Sequence, residues 1–126
     1  MNMISSTWFH ILWNGMSLPK VVPSRGVRQG DPLSPYLFIL CLERLSLKLE
    51  EAVRDKLLHP ISFRGRVRLS HLFFTDDNFL FTHAKAKDYT KLSHILQQFC
   101  AASGQLMSVT KFRLWFSLNT SRHCKE

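Results

Sequence analysis

The feature that most constrains this chain is a change of hydrophobic period at Pro60. Before it, Phe38, Leu42, Leu45 and Leu49 recur at spacings of four and three, as one face of a helix requires. Ser34 is a good N-cap, and Pro35 suits the first helical position. These residues predict a helix from Ser34 to near Leu58, stopping ahead of Pro60. Its first half is apolar all round, which predicts burial. Further on, Arg44, Lys48, Glu51 and Asp55 read as ordinary solvent contacts. After Pro60 the period becomes two: Arg64, Arg66 and Arg68 fall on one side of a predicted strand, and Phe63, Val67 and Leu69 on the other.

Two greasy segments follow. Leu72-Phe73-Phe74 and Phe79-Leu80-Phe81 read as buried strands joined by Thr75-Asp76-Asp77-Asn78, a polar turn inside an apolar hairpin. Asp88 can cap a second helix carrying Tyr89, Leu92, Leu96 and Phe99, with Gly104 as its C-terminal stop. The alternation Phe112, Leu114, Phe116, Leu118 predicts a last strand. At the other end, residues 8–13 read as a buried strand running into an Asn14-Gly15 turn. Helices and strands in this order predict an α+β domain with helices packed on a sheet.

Length and composition narrow the class. A chain of 126 residues has room for one domain, and 45% hydrophobic content with ten Phe argues against disorder. Seventeen Lys and Arg against nine Asp and Glu give a net charge of +8, which points toward a polyanionic partner, nucleic acid first. The cysteines, Cys41, Cys100 and Cys124, are odd in number and widely spread, so they form neither a disulfide framework nor a metal knuckle. Cys41 and Cys100 read as core residues. The longest apolar run, residues 36–42, is far short of the ~20 residues a membrane span needs, and no membrane partner is expected. The N-terminus carries no basic residue before Lys20, so it lacks the charged start of a secretory signal. No motif separates a nuclear from a mitochondrial address.

Three groups of residues can carry chemistry. Asp76 and Asp77 are adjacent carboxylates between apolar strands, a costly placement unless metal, cations or water compensate. Turns favour aspartate anyway, and the dipeptide alone favours two solvated turn residues. The loop Arg25-Gly26-Val27-Arg28-Gln29-Gly30-Asp31-Pro32 offers two arginines able to grip phosphates. It also offers glycines that allow close backbone approach and an amide able to touch a base or ribose. Alone, it reads slightly better as a basic surface loop. Arg64, Arg66 and Arg68 suit a nucleic-acid backbone and a solvated strand face equally well. The six histidines show no paired ligand spacing and receive no role.

Together these segments resemble the reverse transcriptases of non-LTR (LINE-type) retrotransposons, particularly plant ones. Pro23-Ser24-Arg25-Gly26-Val27-Arg28-Gln29-Gly30-Asp31-Pro32-Leu33-Ser34-Pro35-Tyr36-Leu37-Phe38 is similar to the family's second conserved block. Leu69-Ser70-His71-Leu72-Phe73-Phe74-Thr75-Asp76-Asp77 is similar to its catalytic hairpin, usually Phe-Ala-Asp-Asp. Ala102-Ser103-Gly104-Gln105, with Lys111 and Phe116-Ser117-Leu118-Asn119, resembles the block after it. The resemblance runs over residues 4–119, and blocks in order are far more specific than any one alone.

The resemblance implies a partial polymerase palm over residues 1–119, an antiparallel sheet with a catalytic hairpin and two packed helices, followed by a basic tail at 120–126. It implies RNA-directed DNA polymerase chemistry on an RNA template and DNA primer, with deoxynucleoside triphosphates as substrates. The metal would be Mg²⁺, or Mn²⁺, held by Asp76 and Asp77. Arg25, Arg28, Gln29 and Gly30 would line the nucleotide and template site, and Lys111 would sit near the triphosphate. The family places a further essential aspartate on an earlier palm strand, and no acidic residue precedes Asp31 here. Thr75 stands where Ala is usual, Ser108 where Asn is usual, and Phe112 where Ser follows the lysine. The chain is therefore expected to be inactive alone, unless a second chain supplies the missing strand. Two competing expectations are a non-catalytic nucleic-acid-binding module and a barely folded retroelement relic with an unpaired, aggregation-prone edge.

Overall fold

The computed structural model describes residues 8–23, 30–63, 65–75, 77–108 and 110–121. It divides into two compact units, Met1–Phe38 and Ile39–Glu126. Asn14-Gly15 turns the chain in the first unit, with φ of +48° and +80°. That is the backbone twist two-residue hairpins prefer. Strands β1 (Leu12–Trp13) and β2 (Met16–Ser17) pair antiparallel across it. A bridge between Phe9 and Val21 extends the ladder, and Lys20 Nζ lies 4.8 Å over the Trp8 ring. The sequence led us to expect a buried strand here, but Leu12 is 72% and Trp13 63% exposed. A two-stranded ribbon has no second layer to bury both of its faces.

Helix α1 runs Ser34–Arg54 and closes four residues before the expected Leu58. Its end is set by backbone geometry. Lys56 sits at φ +57°, the Leu57 N–H reaches back to the Ala52 carbonyl at 2.8 Å, and the Lys56 N–H reaches that of Val53 at 3.1 Å. This is a Schellman closure with lysine where glycine is usual. The turn carries Leu58 back under the helix, where it is 1% exposed. The first half of α1 is not buried as its composition predicted: Tyr36, Ile39 and Leu40 are exposed, and burial begins at Leu42.

The predicted arginine strand is instead a hairpin. Gly65, at φ +70°, lies between β3 (Ile61–Phe63) and β4 (Val67–Leu69), and Phe63 pairs with Val67. Strands β5 (His71–Phe74) and β6 (Asp77–Leu80) form the next hairpin, with Phe74 opposite Asp77 and His71 opposite Leu80. The described strands pair as three separate antiparallel ribbons rather than one sheet. Helix α2 (Ala86–Ser103) then ends at Gly104, in the left-handed conformation and donating to the Cys100 carbonyl, as the sequence predicted. Residues 104–108 and 110–121 form no strand. The alternation of Phe112, Leu114, Phe116 and Leu118 finds no ladder partner, and alternation without a partner does not make a strand.

The core of the second unit is the seam between the helices. Leu45, Leu49, Ala52 and Leu58 meet Ile95, Leu96 and Phe99, with Phe73, Leu80, Cys41 and Cys100 packed around them. Each fully buried leucine contributes about 2 kcal/mol relative to exposure. The molecule is thus α+β, with two packed helices and small antiparallel ribbons.

Candidate active site

In β5 and β6 alternate side chains point to opposite faces. Phe73 and Leu80 lie on the core face. Leu72, Phe74 and Phe79 lie on the other, between 50% and 68% exposed, where a continuous buried strand was expected. Phe74 and Asp77 face each other across the ladder, so Asp77 shares this outer face at the mouth of the hairpin. Its carboxylate is exposed and makes no ion pair among the described residues. Thr75, next in line after Phe74, has φ +51°. For a β-branched residue the left-handed region costs on the order of 1–2 kcal/mol. A turn that holds Thr in this conformation stores strain two residues before Asp77.

Asp76, Arg25, Arg28, Gln29 and Arg64 lie outside the described residues, as do positions 122–126 of the expected basic tail. Gly30 has φ +85° at the entry to α1. There Asp31 Oδ1 accepts the Leu33 N–H at 2.9 Å, and the Asp31 carbonyl accepts that of Ser34 at 3.1 Å. The Asp31 side chain thus helps to organise the helix start. Lys111 sits in an exposed turn whose N–H donates to the Ser108 carbonyl at 3.1 Å. Among the described residues no hydrogen bond or ion pair joins Lys111 to Asp77. Arg66 is in the β3–β4 turn and Arg68 in β4 opposite Ser62, both exposed.

Two polar clusters were not legible in the sequence. Asp88 occupies the third position of α2 rather than its cap, which is Lys85. Its carboxylate is fully buried and accepts from His59 Nδ1 at 3.1 and 3.2 Å. The Thr82 hydroxyl lies 3.2 Å from both Asp88 Oδ2 and the His59 carbonyl, with one proton to share between them. An anion in the first turn also meets the positive end of the helix dipole. The second cluster is His71, with Nε2 2.8 Å from Ser46 Oγ and Nδ1 2.9 Å from Ser70 Oγ. Burial pushes its pKa below the usual histidine value, against the raising effect of the Glu50 and Glu43 carboxylates. An i, i+4-type signal could not have found either cluster, because each joins residues from separate elements.

No three His, Cys, Asp or Glu side chains gather among the described residues where one cation could be held. A Mg²⁺ ion takes near-octahedral oxygen coordination. Asp77 is one exposed carboxylate, so the described donors do not by themselves fit a two-ion centre. No helix among the described residues is long and apolar enough to cross a membrane.

Comparison with known proteins gives the class. Residues 2–124 match the family model for reverse transcriptase (RNA-dependent DNA polymerase), so the chain belongs to that family. Its relatives place it with the non-LTR retrotransposon kind. Over 72 residues it is 38% identical to a retrovirus-related Pol polyprotein from a type-2 retrotransposable element of Drosophila melanogaster, covering 57% of this chain and 6% of that one. Over 77 residues it is 31% identical to a Pol polyprotein from a type-1 retrotransposable element of Popillia japonica, covering 61% and 12%. An uncharacterized mitochondrial protein of Arabidopsis thaliana is 49% identical over 72 residues, 55% of this chain and 59% of that protein. The chain thus spans less than two thirds of each of these relatives. No solved structure matches it.

Proposed function

We propose that this chain is part of the palm of a reverse transcriptase, spanning residues 1–119, with β5 and β6 as its catalytic hairpin. The family match across 2–124 carries this reading, and the pairing that puts Phe74 against Asp77 supports it. In an assembled polymerase Asp76 and Asp77 would lie beside the primer end and contribute carboxylates to the ion site. Arg25, Arg28, Gln29 and Gly30 would meet the template and incoming nucleotide, and Lys111 the triphosphate. Magnesium, or manganese in its place, needs further oxygen donors. With no acidic residue before Asp31, the 126-residue polypeptide assayed by itself is inactive, and a second chain carrying the earlier palm strand restores synthesis.

Primer extension on an RNA template with Mg²⁺ tests both halves of this reading. The chain alone should extend nothing. Addition of a polypeptide carrying the earlier aspartate strand should give extension that Asp76→Asn abolishes. Extension by the chain alone, lost in Asp76→Asn, would overturn the inactivity, and a complemented mixture that never extends would overturn the polymerase reading.

A further inference from the structure

The charge of this chain is unevenly distributed. From Asn78 to Lys125 the only acidic residue is Asp88, against seven Lys and Arg. The structure removes that acid from the surface too, because its carboxylate is buried against His59 and Thr82. Helix α2 therefore presents no anion to solvent. Lys87, Lys91, His94 and Gln98 recur at spacings of four, three and four, which puts them on one face. That face flanks the buried stripe of Asp88, Ile95, Leu96 and Phe99, with Lys91 at the edge nearest the core. Lys87, His94 and Gln98 are exposed and Lys91 half-buried, and neither lysine makes an ion pair among the described residues. Two lysines four residues apart repel each other and destabilise a helix. An anion laid along the face removes that repulsion.

We propose that this outer face of α2 docks the phosphate backbone of a nucleic-acid duplex, with Lys87 and Lys91 as its principal contacts and His94 and Gln98 as donors further along. The inference rests on the reverse transcriptase reading for its choice of polyanion, and it adds a contact surface that the conserved blocks do not contain. The chemistry of the face selects the partner. Phe, Tyr and Trp are absent from the four positions, and proteins that hold single strands use such rings to stack unpaired bases. A duplex keeps its bases inward and offers phosphates, which cations and amide donors recognise without reading sequence. A bilayer surface would call for large aliphatic side chains beside the lysines, and Leu92, Ile95 and Leu96 of α2 lie in or against the core. Lysine is depleted in the centres of protein–protein interfaces.

The test uses the full 126-residue chain and a labelled RNA·DNA hybrid of about 20 base pairs, followed by fluorescence anisotropy across a salt series. The K87A/K91A double variant should bind roughly ten-fold more weakly at low salt. Its salt slope should be shallower by about 1.8, the share of two phosphate contacts on a duplex. K87R/K91R should bind like the parent. A thermal melt without nucleic acid keeps misfolding apart from lost contacts, because the alanine variant should melt at or above the parent temperature. Unchanged binding by K87A/K91A would overturn the proposal, and so would a parent chain that binds no hybrid. Tighter binding to single-stranded RNA of the same length, or to polyglutamate, would overturn the duplex as occupant. Polymerase complementation is read independently: extension with unchanged K87A/K91A binding removes only this surface. Hybrid binding lost in the variant, without extension, removes only the activity.

Discussion

The two faces of the β5–β6 hairpin are made of similar residues and meet opposite fates. Phe73 and Leu80 pack on the seam between the helices, whereas Leu72, Phe74 and Phe79 stand at least half exposed. Strand periodicity treats the faces alike. What separates them is whether the described residues supply a second layer, and they do so on one side only, through α1 and α2. The uncovered side is also the side of Asp77. Under the polymerase reading proposed above, that carboxylate would work in a site shielded from water, where its electrostatics are strongest. The structure thus pairs a closed core with a face whose apolar residues and carboxylate stand open among the described residues.

The most direct way to break this comparison is to cut one leucine from the closed side and one phenylalanine from the open side. Leu49 has no exposed surface, so Leu49→Ala should cost about 3 kcal/mol through lost transfer energy and the cavity left behind. Phe74 is 68% exposed. Phe74→Thr keeps strand propensity and should shift stability by no more than about 0.5 kcal/mol. Urea unfolding of both variants decides the matter. A loss at Phe74 as large as that at Leu49 would mean that the outer face is covered in solution.

A smaller effect is expected at the polar seal on the same core. Asp88→Asn keeps the shape but replaces a buried charge that accepts from His59 with a neutral amide. Loss of a charge-assisted hydrogen bond in a buried place costs about 2 kcal/mol. Urea unfolding at neutral pH, compared with Asp55→Asn in the exposed turn after α1, isolates the seal. Equal, negligible losses would show that the helix dipole and Thr82 hold α2 without it.

These contrasts also explain what could be read from the residues alone. Helix α1 was legible because four apolar residues keep helical spacing over a long window, yet its end was not, because a lysine does the work usually signalled by glycine. The arginine strand was misread for a related reason. Period two continues through a tight hairpin when both strands keep their faces, and Gly65 was the one residue marking the turn. The hairpin at Asp77 was legible as a hairpin, but its burial was not, because apolar residues specify a face that needs a partner without saying whether the chain contains one. Asp88 was misplaced as a cap for the same kind of reason. Local patterns favour acids at helix starts, whereas its actual partners, His59 and Thr82, come from the turn after α1 and the stretch after β6.

The finest test of the comparison is a pH dependence at the edge of the closed side. His71 opens β5 and holds Ser46 of α1 and Ser70 through its two ring nitrogens. Burial lowers its pKa in the folded protein, overcoming the pull of Glu50 and Glu43. The unfolded chain, with a histidine near 6.5, then binds the proton more readily than the folded one. Stability is therefore held above about pH 6.5 and falls as the solution is acidified below it. Urea midpoints taken from pH 7.5 to pH 5 should decline, and His71→Gln should flatten that decline in this window. A decline of the same slope in His71→Gln would place the titrating group elsewhere. A rise in stability on acidification would mean that Glu43 and Glu50 outweigh burial, making the outer edge of this core wetter than its packing shows.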